Sequence, residues 1–234
     1  MHPYLLLDAG GTVLFPNQRV VREIILGNGY DIPEEQLQLW MTRFIRYLDE
    51  LLQSDGQQHV GFFEWVLEHA GVDGQHIPTL TEQLRQADEQ NSLWDVTYPW
   101  VHETLARLTA AGYRISIISN ATGRVERGLV DAGLRRYFEK VFDSHYVGYS
   151  KPDVRLFQHA LIALGLQPAE CLFVGDVYYV DVLGANRAGI AGIHLDPYGL
   201  YEGWAGYRIP NIGALPDFLA EHPDLTEKGF FPLV

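Results

Sequence analysis

Asp8 follows the apolar run Tyr4-Leu5-Leu6-Leu7 and precedes Ala9-Gly10-Gly11-Thr12. A carboxylate at the end of a buried strand, with glycines after it, can approach a substrate without side-chain obstruction. A second acid two residues further on would complete an acid/base pair, but that position is Gly10. Three other polar clusters end apolar runs in the same way. Ser119-Asn120-Ala121-Thr122-Gly123 offers a hydroxyl and backbone amides just before a helical segment, which suits an anion, or equally an N-cap. Gly148-Tyr149-Ser150-Lys151-Pro152-Asp153 sets a lysine before another helix, in a chain whose lysines are Lys140, Lys151 and Lys228. A loop lysine is ordinarily solvated, and only its position marks this one. Gly175-Asp176-Val177-Tyr178-Tyr179-Val180-Asp181 carries carboxylates five residues apart that can face one hard cation, although Asp181 also suits a first helical turn.

The elements that must position these clusters are legible from periodicity. Strand candidates are Tyr4–Leu7 and residues 114–118, 141–142, 172–174 and 192–195. Helical spacing is found at 100–111, 124–132, 153–164 and 180–188, and glycine follows many of these segments at 112, 133, 165 and 189. Repeated βα units predict an α/β fold, with a parallel sheet, right-handed crossovers and helices on both faces. From about Pro16 to Leu93 the strand signals vanish. Residues 34–52 instead repeat Leu37, Trp40, Met41, Phe44, Ile45, Leu48 and Leu52 at helical spacing, and 62–67 and 80–87 look similar. This helical insertion leaves the sheet beside Asp8, so it is expected to hang over that end. Its aromatics read as core.

Composition narrows the class. The 234 residues allow one domain with an insertion, and 47% hydrophobic with 20% charged residues is ordinary for a folded protein. A net charge of −13 argues against a nucleic-acid or anionic-membrane surface, so an anionic substrate must be attracted locally. No run approaches the ~18 apolar residues of a spanning helix. The start, Met1-His2-Pro3-Tyr4, has no basic segment of the kind that opens a secretory signal, and the expected location is the cytoplasm. The single Cys171 reads as a buried strand residue. Trp94, Tyr98, Trp100, Tyr178, Tyr179 and the aromatic-rich stretch 198–207 are expected in core or interface packing rather than around a substrate.

Together the clusters resemble the motifs of the haloacid dehalogenase-like (HAD) superfamily, largely Mg²⁺-dependent phosphatases that work through an aspartyl-phosphate. The first motif, Asp-x-Asp-Gly-Thr after an apolar strand, is matched at Asp8, Gly11 and Thr12. The second is matched by Ile115-Ser116-Ile117-Ile118-Ser119-Asn120, the third by Lys151-Pro152, and the fourth, Gly-Asp-x-x-x-x-Asp, by Gly175, Asp176 and Asp181. The resemblance implies a Rossmann-like core from residues 1–15 and 94–234, and a helical cap from 16–93 inserted after strand 1. It further implies Asp8 as the nucleophile and Mg²⁺ held by Asp8, the backbone carbonyl of Gly10 and Asp176, with Asp181 helping through water or by orienting Lys151. Thr12, Ser119, Asn120 and Lys151 would bind the phosphate of a small phosphorylated metabolite.

Gly10 departs from the family pattern, in which an Asp at that position protonates the leaving oxygen and then activates water. Its loss should slow that step by about 10²–10⁴-fold. One reading is a phosphohydrolase of weakened activity, in which a cap residue such as Glu23, Asp55 or His59, or a bound water, takes over. A second is a phosphate- and metal-binding regulatory homologue without turnover. A third is 2-haloacid dehalogenase chemistry, which also lacks the second acid but is metal-independent and lacks the acidic fourth motif seen here. Phosphonate-cleaving relatives need a cap lysine, and no lysine occurs between Pro16 and Leu93.

Overall fold

The computed structural model describes residues 2–54, 61–91 and 93–225. The chain divides into two compact units, one of residues 1–15 with 97–234 and one of residues 16–96.

The first unit is built on a six-stranded sheet in the order β3-β2-β1-β4-β5-β6, with every neighbouring pair parallel. The strands are β1 (Tyr4–Leu7), β2 (Ile115–Ser119), β3 (Val141–Asp143), β4 (Cys171–Gly175), β5 (Ala191–Leu195) and β6 (Tyr207–Ile209). β1 is apolar throughout because both of its faces are covered. Leu5 and Leu7 point into one core with Ile115, Ile117, Leu172 and Val174, while Tyr4 and Leu6 point into the other with Ile118, Cys171 and Phe173. The five expected strands are all present. β6 was not expected, because Tyr207-Arg208-Ile209 is a three-residue edge strand with one buried side chain, and alternation over so short a run gives no signal.

Of the helices, α5 (Pro99–Ala110), α6 (Val125–Asp131) and α8 (Val154–Leu164) lie within a residue or two of expectation. Asp153 caps α8 by accepting the Arg155 N–H at 2.9 Å, and Gly165 ends it in the left-handed conformation at φ 69°. The helical segment expected at 180–188 is divided. Tyr178–Val182 forms a π-turn and Leu183–Arg187 continues as α9. A short α7 (Ser144–Val147) follows β3, and α10 (Leu215–Glu221) packs near α5, where Arg107 and Asp217 pair at 2.9 Å.

The second unit holds α1 (Gln18–Gly27), α2 (Glu34–Gln53), α3 (Phe62–His69) and α4 (Ile77–Asn91). Val21, Ile25, Leu37, Met41, Phe44, Val66, Leu67, Leu80 and Leu84 form its own core, and Trp40, Trp65 and Trp94 pack against it. Its aromatics are therefore packing residues: Trp65 contacts Trp40, Phe44, Tyr47 and His69. Glu23 lies on the surface beside Arg19, and Asp55 and His59 fall outside the described residues. No helix among the described residues is long and apolar enough to cross a membrane.

Candidate active site at the carboxyl edge of the sheet

Register brings the sequence clusters together. Leu7 is aligned with Ile117 on one side and Val174 on the other, so Asp8, Ser119 and Asp176 all emerge at the same edge within two residues of that row. The chain crosses from one half of the sheet to the other between β1 and β4, and in parallel α/β sheets this switch point is where ligands bind. Asp8 extends the ladder by one bond, its N–H donating to the Val174 carbonyl at 2.9 Å.

Lys151 is the centre of the arrangement. Its ammonium lies 2.6 Å from Asp8 Oδ1 and 2.7 Å from Asp181 Oδ1, and all three side chains are buried. The surface role ordinary for a loop lysine is therefore excluded. Asp181 sits in the π-turn, where its Oδ2 accepts the Val177 N–H at 3.0 Å, so the extra residue in the turn aims the carboxylate back at the sheet edge. Asp176 completes the group: Asp8, Asp176 and Asp181 each offer an oxygen within 4.8 Å of the others.

Two glycines make this density possible. A Cβ on Gly11 would lie 2.0 Å from Asp176 Oδ2, and Gly11 has φ +69° besides. A Cβ on Gly175 would lie 2.4 Å from Asp181 Oδ2. Gly10, between Asp8 and the turn, pairs with Leu14 in an isolated parallel bridge.

The electrostatics follow from enclosure. Burial, with the charge of Asp181, pushes the Asp8 carboxyl up to about 6 against the pull of Lys151. Burial and the charges of Asp8 and Asp181 hold Asp176 well above the ordinary carboxylate range. Burial pulls Lys151 down, but Asp181 and Asp8 outweigh it and its proton is held more tightly than usual. Three carboxylates facing one ammonium form a hard-oxygen donor set short of positive charge, which fits a divalent cation such as Mg²⁺.

The Asn120 carboxamide is committed to the backbone of Lys151: Nδ2 donates to the Lys151 carbonyl at 2.8 Å, and Oδ1 accepts the Lys151 N–H at 2.7 Å. This side chain holds the backbone of the lysine in place. Thr12 is wholly enclosed, and its hydroxyl has no hydrogen-bond partner among the described residues. Ser119, the last residue of β2, stands at the edge as expected.

Three supporting residues were missed. Ser144 Oγ accepts the Ala121 N–H at 3.0 Å and returns a bond to the Ala121 carbonyl at 3.2 Å. Asp143 Oδ2 accepts the Gly123 N–H at 3.0 Å. The loop after Ser119 is thus laced to the end of β3, and the polar pair ending the apolar run at 141–142 was the available signal. His194, buried in β5, meets the Asp176 carbonyl through Nε2 at 3.0 Å, and burial lowers its pKa to about 4. A lone histidine in an apolar strand gives no such warning. Cys171 is buried, with burial pushing its thiol up to about 12, as befits a structural residue. Tyr178, Tyr201 and Trp204 form their own apolar cluster, and Tyr98 and Trp100 stack beside Phe15.

The fold and this edge define a Rossmann-like α/β core with a site built on an aspartate at the end of β1, and the comparisons agree. Residues 4–189 match the family model described as haloacid dehalogenase-like hydrolase, and the chain belongs to that family. A glyceraldehyde 3-phosphate phosphatase of Methanopyrus kandleri is 28% identical over 230 residues, covering 94% of this chain and 93% of that one. A phosphoserine phosphatase of Thermus thermophilus is 33% identical over 159 residues, 68% of this chain and 62% of that one. Among solved structures, a HAD phosphatase from Thermococcus onnurineus shares the fold with a TM-score of 0.59 and 24% identity, over 94% of this chain and 98% of that one.

Proposed function

We propose that the chain is a Mg²⁺-dependent phosphohydrolase that acts on a small phosphorylated metabolite through an aspartyl-phosphate on Asp8. The observation that carries this reading is Lys151, buried between Asp8 and Asp181 with Asp176 beside them. One aimed carboxylate, one cation fixed against it and two further acids are what phosphoryl transfer to a carboxylate needs. The phosphatase names of the relatives from Methanopyrus kandleri and Thermus thermophilus point the same way.

Asp8, Asp176 and the Gly10 carbonyl would hold the ion, with Asp181 contributing directly or through Lys151. Bound there, Mg²⁺ offsets the negative charge that would otherwise keep a phosphate away from a carboxylate. In the first step an Asp8 oxygen attacks phosphorus, the bond to the leaving oxygen breaks, and its electron pair departs with the leaving group. The Lys151 ammonium and the Ser119 hydroxyl hold the phosphoryl oxygens as charge shifts onto them. Asn120 keeps Lys151 in position through its backbone. In the second step water attacks the same phosphorus and gives up a proton to solvent, while the bond from phosphorus to Asp8 breaks and its electron pair returns to the carboxylate. Dehalogenase chemistry is disfavoured by the buried acidic group, since a metal-free displacement of halide gains nothing from Asp176 and Asp181 and must bear the cost of burying them.

Gly10 favours a second reading, in which the pocket binds phosphate and cation with little turnover. One panel separates these readings. Small phosphate esters and acyl phosphates are offered to wild type and Asp8→Asn with Mg²⁺ and with chelator, and 2-chloropropionate is offered without metal. Phosphate release that needs both Mg²⁺ and Asp8 supports the proposal. Release that survives Asp8→Asn, halide release without metal, or binding with no turnover of any donor overturns it.

A further inference from the structure

We infer that the site is selective for leaving groups: it takes phosphoryl groups from acyl and aryl phosphates rather than alkyl phosphate monoesters, and Asp8 stays phosphorylated between turnovers. The inference rests on the reading of Asp8 as nucleophile. It follows from the protonic inventory of the α/β unit around that carboxylate. Among the described residues of this unit, the charged groups set against Asp8 are Lys151, Asp176 and Asp181. Lys151 is clasped by two carboxylates, and Asp181 is engaged by Lys151 and the Val177 N–H. Asp176 is the acid that the divalent ion requires. His194, the nearest imidazole by sequence to the fourth motif, is 1% exposed, faces the Asp176 backbone and is covered by the rings of Tyr178 and Tyr201. The place beside Asp8 where a further acid would stand is Gly10, which has no side chain.

Leaving groups respond very differently to that lack. An alcohol ionises about as reluctantly as bulk water, whose pKa is about 15.7, so an alkoxide must receive a proton as it departs. A phenol ionises near ~10 and a carboxylic acid near ~4, and their anions leave unaided. Attack by Asp8 on an acyl phosphate forms one O–P bond and breaks another. The electron pair leaves on the acyl carboxylate, and no proton moves. The second step is less forgiving, because the water that attacks the phosphoryl group must lose a proton as the Asp8–phosphorus bond breaks. With no base at position 10 this step is slowed by about 10²–10⁴-fold, whichever donor delivered the phosphoryl group. Dephosphorylation then limits turnover, and the phosphorylated form accumulates.

The test mixes wild type and Mg²⁺ rapidly with acetyl phosphate, 4-nitrophenyl phosphate, phenyl phosphate and glycerol phosphate. It reads leaving-group release and, by intact mass, the phosphoryl group on the chain. The expected result is a burst equal to the enzyme concentration followed by slow release at one rate for all reactive donors, with burst rates that fall steeply as the leaving group becomes more basic and no reaction with glycerol phosphate. Gly10→Asp should flatten that dependence and remove the burst. If that variant fails to fold, the wild-type dependence alone decides. Glycerol phosphate turned over as readily as acetyl phosphate, without a burst, overturns the inference while leaving Asp8 as nucleophile. The absence of any phosphorylated chain from any donor, together with full activity in Asp8→Asn, overturns both.

Discussion

Asn120 and Lys151, 31 residues apart in sequence, hold one another through two hydrogen bonds: Asn120 Nδ2 to the Lys151 carbonyl at 2.8 Å, and the Lys151 N–H to Asn120 Oδ1 at 2.7 Å. The end of β2 and the loop before α8 are thereby fastened together, and the ammonium of Lys151 is set against Asp8. Asn120→Ala should leave two backbone groups of Lys151 without partners, lowering stability by about 1–3 kcal/mol. Because the lysine is also freed, KM for a phosphorylated substrate should rise more than kcat falls. Steady-state kinetics with a urea titration checks this, and unchanged KM would contradict the positioning role.

Removing the ammonium itself should be harsher. Lys151→Met leaves Asp8 and Asp181 buried without their counter-charge, and breaking a buried pair in this way costs about 3–5 kcal/mol. Mg²⁺ supplies positive charge to the same carboxylates, so it should raise the unfolding midpoint of the variant more than that of wild type. An equal rise in both would argue that the ion binds elsewhere.

Gly11→Ala tests the crowding at the cation site. The added methyl would lie 2.0 Å from Asp176 Oδ2, so that carboxylate must move. Displacing a ligand through its supporting shell typically weakens metal binding by about 10–100-fold, and calorimetric titration with Mg²⁺ should show a loss of that size.

Metal-free stability should depend on pH in two opposed ways. Asp8 ionises at about 6 in the fold against 3.8 ordinarily, with burial the main cause, so the folded state holds its proton more tightly than the unfolded chain does. Its contribution is complete below about pH 4 and is lost as pH rises through about 6. His194 runs the other way, because burial lowers it from 6.5 to about 4. Its contribution is present above about pH 6.5 and is lost as pH falls through about 4. Asp8→Asn in chelator should therefore be more stable than wild type near neutral pH, by at most roughly 3 kcal/mol, with the gap closing toward pH 4. Urea unfolding across that range measures the gap, and a gap independent of pH would contradict the assignment.

The sheet was legible because β1 and β4 are apolar on both faces, β2 is interrupted only by Ser116, and all three run abruptly into polar residues, so strand ends and site residues announce each other. Asp8, Ser119, Asp176 and Asp181 were named from those ends, and Lys151 from the loop after β3. The bonding of the Asn120 side chain was not legible, since it depends on a backbone 31 residues away. The lacing of Ala121 and Gly123 by Ser144 and Asp143 was hidden for a related reason: a short polar side chain after a strand can cap its own helix, as Asp143 also does for α7, and only the register of β2 on β3 reveals its second partner. Ser144→Ala should accordingly weaken inorganic phosphate binding with little change in Mg²⁺ affinity.

The central claim, that Asp8 is the atom source of the covalent step, is tested most directly by acid-quenching wild type with acetyl phosphate and Mg²⁺ and mapping the phosphoryl group by peptide mass. Phosphate on the peptide containing Asp8, absent in Asp8→Asn and absent with chelator, is the predicted result. Phosphate release from wild type with no labelled Asp8 at any quench time, or with label on another residue, would contradict it.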